Sequence, residues 1–182
     1  MAYTISLTQS QEVTVLKAFL QIITGIDPKY VVQGQANRIP APTATDNIVF
    51  TPILRERLNT NVVGYNSSTG TILDTRTDTQ YTKLTVQIDV FGPNSADNVQ
   101  VISTAMRSDL ATDYFANSGL PVTPLYVSDP RQSPFLDESS QIQMRWNLDA
   151  VLEVQPSISG TQQFADSLAV GVKEVDAFFP PA

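Results

Sequence analysis

Carboxylates are the residues of this chain whose types and spacing come closest to a reactive site. Asp109 and Asp113 are separated by one helical turn, and Asp137 and Glu138 stand side by side in a loop. Paired carboxylates are the groups that bind a cation or form the acid and base of a glycosidase. Neither pair has the spacing of a calcium loop. We therefore interpret both as solvated polar residues.

Asp74 and Thr75 begin the Asp-Thr-Gly triplet of an aspartic protease. Arg76 stands in place of the glycine, and no second triplet supplies the carboxylate with which such a residue shares a proton. The chain also has no histidine and no cysteine. It therefore lacks the usual neutral-pH acid/base group, the Ser-His and Cys-His nucleophile pairs, and thiolate ligands. We predict no catalytic residue, no cofactor and no metal site.

Composition narrows the class of protein further. The 182 residues are 42% hydrophobic and 16% charged, and eighteen acidic against eleven basic residues give a formal charge of -7. Soluble proteins typically carry about 25% charged residues, so part of the surface is a candidate for burial in an assembly; the alternative is that the abundant Ser, Thr, Asn and Gln keep it hydrated. Tight binding to nucleic acid is disfavoured, because it needs clustered cations. We expect neither a signal peptide nor a membrane span.

Helices and strands alternate along the chain. Residues 8–24 predict a helix, because Thr8 and Gln11 form a capping box and Gly25 ends the pattern. Its apolar stripe is Val13, Leu16, Phe19, Leu20 and Ile23. A second helix is predicted from Asn94 or Ser95 to about Phe115. The residues expected on its inner face are Val99, Ile102, Ala105, Met106 and Leu110.

Strands are predicted over residues 48–53, 59–65, 81–91 and 141–155. The last of these has the longest alternation, with one apolar face formed by Ile142, Met144, Trp146, Leu148, Ala150, Leu152 and Val154. Trp146 is accordingly expected in the core rather than on a sugar-binding surface. The predicted class is α+β, with an antiparallel or mixed sheet and two amphipathic helices on one face.

Residues 157–182 are predicted to form a C-terminal arm beyond a single domain of residues 1–156. The arm is too short to bury its own apolar residues, which are Phe164, Leu168, Val170, Val172, Phe178 and Phe179. Residues 168–172 alternate as a strand does and are able to extend a sheet edge. We expect these residues to contact a neighbouring subunit.

A paired segment near the N-terminus has the most distinctive pattern. It reads Tyr30-Val-Val-Gln-Gly-Gln-Ala-Asn-Arg38-Ile-Pro40-Ala-Pro42, followed by residues 48–53 and 57–61. Here the chain resembles the neck and tail-terminator proteins of contractile-tailed bacteriophages. A weaker likeness extends through residues 87–93 and the strand with Arg145 and Trp146. Proline rigidity around Arg38 favours a subunit-interface role for this residue and for Arg55 and Arg57; pairing with Glu56 or Asp46 in the same chain is the alternative.

The resemblance implies a tail-terminator-like fold and a structural virion protein without enzymatic activity. Such a protein forms a ring, expected to be a hexamer, at the head-tail junction. The ring caps the tail tube and sheath, contacts connector or collar proteins, and lets DNA pass without specific binding. Assembly is expected in the host bacterial cytoplasm. The alternatives are a soluble carbohydrate-binding or adhesin-like module of a phage particle and a carboxylate-dependent hydrolase.

Overall fold

The computed structural model describes residues 3–35, 46–66, 73–136, 142–163 and 171. The helices are α1 (Gln9–Thr24), α2 (Ser95–Met106) and α3 (Asp109–Asn117), with a 3-10 turn at Pro28–Tyr30. The strands are β1 (Thr4–Ile5), β2 (Val31–Gln33), β3 (Asn47–Arg57), β4 (Val62–Asn66), β5 (Leu73–Thr79), β6 (Thr82–Phe91), β7 (Val122–Val127), β8 (Arg131–Gln132), β9 (Phe135–Leu136), β10 (Ile142–Gln143), β11 (Arg145–Val154) and β12 (Ser157–Gln163).

The main sheet has six strands in the order β2-β3-β6-β11-β7, with β8 beside β11. Strands β2 and β3 are parallel, and the other neighbours are antiparallel. Strands β6 and β11 form the centre, paired without interruption from Thr82 opposite Val154 to Phe91 opposite Arg145. Their alternating sequences place Leu84 and Leu152 on one buried face. The predicted α+β class is confirmed.

All three helices pack on one face of this sheet and enclose a single core. Helix α1 begins with the predicted capping box, in which Thr8 and Gln11 exchange hydrogen bonds, and ends at Gly25 with φ of 68°. Phe19 from α1 contacts the rings of Tyr114 and Phe115 from α3, with centroids 5.1 and 5.4 Å apart. Trp146 packs against the core, as predicted. The core therefore holds the helices in fixed positions on the sheet.

The second predicted helix is divided in two, which corrects the prediction of a continuous helix to Phe115. The helix stops at Met106, and Ser108 is extended, with φ of -107° and ψ of 168°, before α3 begins. Because of this break, α3 buries different residues from those that a continuous helix would bury. Leu110, predicted on the inner face, is 53% exposed, whereas Ala111 and Phe115 are buried.

The prediction of one strand over residues 141–155 is also corrected at its start. Strand β11 begins at Arg145, because its partner β6 ends at the opposing residue, Phe91. The residues before Arg145 have no partner strand in the main sheet. Ile142 and Met144 are therefore exposed rather than part of the apolar face. Ile142 instead pairs with Leu136 in the small β9-β10 ribbon.

A second sheet continues the first. Its order is β1-β12-β5-β4, and each of β4, β5 and β12 follows or precedes a strand of the main sheet along the chain. β3 leads into β4, β5 leads into β6, and β11 leads into β12. The order β3-β6-β11 thus recurs as β4-β5-β12. Ser157–Gln163, the beginning of the predicted arm, is β12 and pairs within its own chain.

Candidate assembly surfaces

Arg55 lies on the helix-covered side of β3, opposite Leu84 of β6. Its Nη1 donates to Oε1 of Glu12 at 3.1 Å, and its Nη2 donates to Oε2 of the same carboxylate. The Glu12 side chain is 1% exposed and that of Arg55 is 39% exposed. A buried carboxylate is stable only when a cation and hydrogen bonds compensate its lost hydration. Arg55 therefore secures α1 to the end of the sheet.

The local carboxylates considered as partners from the sequence are engaged elsewhere. Glu56 forms an ion pair with Lys83 at 2.8 Å, and this hydrogen bond raises the pKa of Lys83. Asp46 accepts hydrogen bonds from the backbone and side chain of Asn94. The partner of Arg55 is thus a helix residue that sequence reasoning missed.

Arg57 is the last residue of β3 and is exposed. It lies opposite Thr82, on the same side of the strand as Arg55, and forms no ion pair within the part of the chain that the structure describes. Arg38 lies outside the described residues. The structure therefore brings Arg55 and Arg57 together at the end of β3 that adjoins the second sheet.

The six predicted arm residues also lie outside the described residues; they are Phe164, Leu168, Val170, Val172, Phe178 and Phe179. The structure describes the strand that precedes them in the chain. β12 lies between β1 and β5, with Ser157 opposite Thr79 and Gln163 opposite Leu73. The C-terminal residues therefore leave from the second sheet.

The two faces of the second sheet differ in chemistry. One face carries hydroxyl groups that bond across the strands, Thr77 to Ser159 at 3.0 Å and Thr79 to Ser157 at 2.7 Å. The other, here called the apolar face, carries large side chains that are 40–60% exposed. They are Tyr3, Ile5, Val63, Tyr65 and Ile158. Exposed apolar side chains grouped in this way mark contact surfaces.

Gly160 allows one of these side chains to lie flat on the sheet. A Cβ atom at this position would come within 2.6 Å of Cε1 of Tyr3, closer than atoms of two side chains approach. On the same face, Arg76 forms an ion pair with Asp78 at 2.9 Å, and this hydrogen bond raises the pKa of Arg76. The apolar face therefore includes one cation, Arg76, whose charge Asp78 neutralises.

The helix-free side of the main sheet is a polar network. Arg145 donates to Oδ1 of Asp89 through Nε at 3.0 Å and Nη2 at 2.7 Å, and Gln87 donates to both oxygens of that carboxylate. Arg131 pairs with Asp149 at 2.8 Å. Because these charges satisfy one another, the surface suits a hydrated contact better than a reactive centre.

The carboxylates considered for chemistry are not assembled into a site in the described residues. Asp109 and Asp113 are both exposed on α3, and Asp74 lies in β5 opposite Gln162. Among the residues that the structure describes, no cluster of three or more acidic side chains is able to hold a metal ion. Asp137 and Glu138 lie outside the described residues.

The sequence matches the family described as phage neck terminator protein over residues 13–176. The chain belongs to this family. The match spans most of α1, the main sheet and strands β4, β5 and β12 of the second sheet, whereas β1 and Glu12 precede it. The resemblance found from the sequence motifs is confirmed. No curated protein matches the chain at a significant level.

Membership of the neck terminator family makes the chain a structural component of the phage virion. It also implies contacts with other head or tail proteins. No helix within the described ranges is long and apolar enough to cross a membrane. The surfaces of this neck terminator family member are candidates for the contacts with other head or tail proteins.

Proposed function

We propose that this protein is one subunit of a closed ring, a hexamer, at the junction of phage head and tail. The ring caps the tail tube and sheath on one side and contacts the connector or collar on the other. Its role is geometric and non-enzymatic: it ends the growing tail and keeps a passage open. It assembles in the host cytoplasm and becomes part of the virion.

The observation that supports this proposal is the second sheet. Its apolar face lies outside the core, because none of its large residues belongs to the buried cluster. A small sheet with an uncovered apolar face needs a partner to exclude water. Repeated head-to-tail contacts between copies form a ring when the rotation closes. A contact between subunits would therefore explain an apolar surface that is exposed to solvent in the single subunit.

Charge supports the proposed DNA passage. Each chain carries a formal charge of -7, so six copies would carry six times 7, or about 42, negative charges before counterions are counted. A negatively charged ring repels the phosphate backbone of DNA at short range. DNA is therefore expected to move through the lumen without specific binding.

Native mass spectrometry and electron-microscopic class averages test the ring. The subunit mass is 19.9 kDa, so a hexamer has a mass of six times this value, about 119 kDa. We expect this species in the purified protein or a six-fold layer of this protein at the neck of particles. A monomer in solution together with a single copy in the virion would disprove the ring.

Arg38→Ala tests the predicted subunit boundary. We propose that Arg38, Arg55 and Arg57 lie at or near this boundary, with Arg55 also needed within its own chain. A hydrogen bond to a charged group contributes about 1.5–3 kcal/mol, so losing Arg38 should weaken ring assembly about tenfold or more. Unfolding free energy should change by less than about 0.5 kcal/mol.

Analytical ultracentrifugation and denaturant unfolding measure the two effects separately. Lys29→Ala is the control, because it removes an exposed cation whose ion-pair partner is the nearby Asp27. Normal assembly of Arg38→Ala with a lowered melting temperature would assign Arg38 to the interior of its own subunit.

A further inference from the structure

The apolar face of the second sheet is left uncovered by the described residues of its own subunit. Tyr3, Tyr65 and Val63 are 60%, 58% and 41% exposed, although they lie in or beside paired strands. Val63 lies opposite Asp78, which lies opposite Ile158, and Ile158 lies opposite Ile5. Exposed apolar side chains from β1, β12 and β4 thus share one face, on either side of the Arg76–Asp78 ion pair of β5. Such a surface accepts an extended or helical apolar segment.

The chain itself provides a segment of suitable chemistry. After Gln163 the sequence continues for 19 residues that contain Phe164, Leu168, Val170, Val172, Phe178 and Phe179. Burying a Phe or Leu side chain stabilises it by about 1.5–3 kcal/mol relative to water. The segment has more apolar residues than it is able to bury within itself, and the apolar face has an uncovered surface.

The direction of β12 favours a contact between copies. β12 starts at Ser157, next to the main sheet, and ends at Gln163, opposite the first residue of β5. Seven strand residues span about 20 Å, so the C-terminal segment starts at the end of the second sheet that is remote from the core. To cover its own apolar face the segment would have to reverse direction at that end, whereas a copy placed beyond that end would receive it without a reversal.

We propose that residues 164–182 of one copy bind the apolar face of the second sheet of the next copy. This inference rests on the proposed ring and names the contact that closes it. The segment and the face are different surfaces of the same chain, so the contact is heterologous. Heterologous contacts between identical chains repeat, and they form a ring when the rotation between copies closes. The occupant is thus a second copy of this chain.

Adjacent valines in β4 supply a matched test. Val63 lies on the apolar face, whereas Val62 lies opposite Thr79 on the hydroxyl face. The two residues have the same type, and their exposed fractions are 41% and 53%. Val63→Asp in the full-length protein should weaken ring assembly at least tenfold, and Val62→Asp should change it less than threefold. Circular dichroism should show both variants folded.

Engineered disulfides identify the occupant, because the natural chain contains no cysteine. Val63→Cys in one copy is mixed with Leu168→Cys, Val172→Cys or Phe178→Cys in a second copy that carries a different tag. We expect disulfide-linked dimers of unlike copies for at least one pair. Val62→Cys, with the same partners, should give none.

Several results would overturn the inference. Cross-links that form only when both cysteines are in one chain would place the segment on its own subunit. Equal effects at Val62 and Val63, or rings that tolerate Val63→Asp, would show that the apolar face is not the contact. In these cases the ring of the proposed function would remain, whereas absence of any ring of the natural protein would contradict both.

Discussion

Phe19→Ala is expected to lower the free energy of unfolding by about 3–5 kcal/mol. Phe19 is 1% exposed and contacts Tyr114 and Phe115, so it joins α1 to α3 above the sheet. Removing the ring leaves a cavity that the surrounding strands are unable to fill, since close-packed cores relax only partly. Denaturant unfolding followed by the fluorescence of Trp146, the one tryptophan, measures the loss.

Ile22→Ala is the control for this prediction. Ile22 lies on the same helix but is 67% exposed, so its truncation should change the free energy of unfolding by less than about 0.5 kcal/mol. Equal losses for the two variants would indicate that helix propensity, rather than packing of Phe19, determines the stability of α1.

Arg55→Met is expected to lower the free energy of unfolding by about 3 kcal/mol. The substitution leaves the buried carboxylate of Glu12 without its cation, and breaking a buried pair from one side typically costs about 3–5 kcal/mol. The lower value applies because the Arg55 side chain is 39% exposed and water partly screens its charge.

A double variant separates this explanation from simple loss of packing. Glu12→Leu together with Arg55→Met removes both charges and should recover all but about 1 kcal/mol. Arg57→Ala, two residues further along β3, should change stability by less than about 0.5 kcal/mol. An Arg55→Met protein that unfolds normally but forms no ring would assign Arg55 to the subunit contact alone.

The elements predicted correctly from the sequence are those whose periodicity reflects burial on one side. Strands β6 and β11 alternate because the helices cover one face, whereas the other face carries mainly polar side chains that are partly exposed. Helix α1 has explicit end signals at Thr8 and Gly25. In these segments local sequence and tertiary environment agree, so the boundaries differ from prediction by few residues, except at the start of β11.

The strands that the sequence analysis did not predict lack this burial on one side. β5 reads Leu-Asp-Thr-Arg-Thr-Asp-Thr, and none of its residues 74–79 belongs to the core. Its pairing depends on backbone and hydroxyl hydrogen bonds, which leave no apolar periodicity. β7 contains Pro124, which is tolerated because β7 is an edge strand and its register shifts beside Leu152. In a sequence, a proline within a run of this kind argues against a strand.

The ion pair of Arg55 was partly predictable. Its partner, Glu12, is 43 residues away in the chain, and no local spacing rule joins a helix to a strand at that distance. However, Glu12 stands four residues before Leu16 and seven before Phe19, which places it on the apolar stripe. A carboxylate on a buried stripe requires a cation, and this was the available signal.

The continuity of the two sheets has a mechanical consequence. A pull on the second sheet along its strands passes through unbroken backbone into β3, β6 and β11, which share the load in parallel. Ten residue pairs join β6 to β11, and strands pulled lengthwise must break many of these cross-strand hydrogen bonds together rather than one at a time. Force applied to the second sheet is therefore borne by the central strands of the fold rather than by a flexible linker.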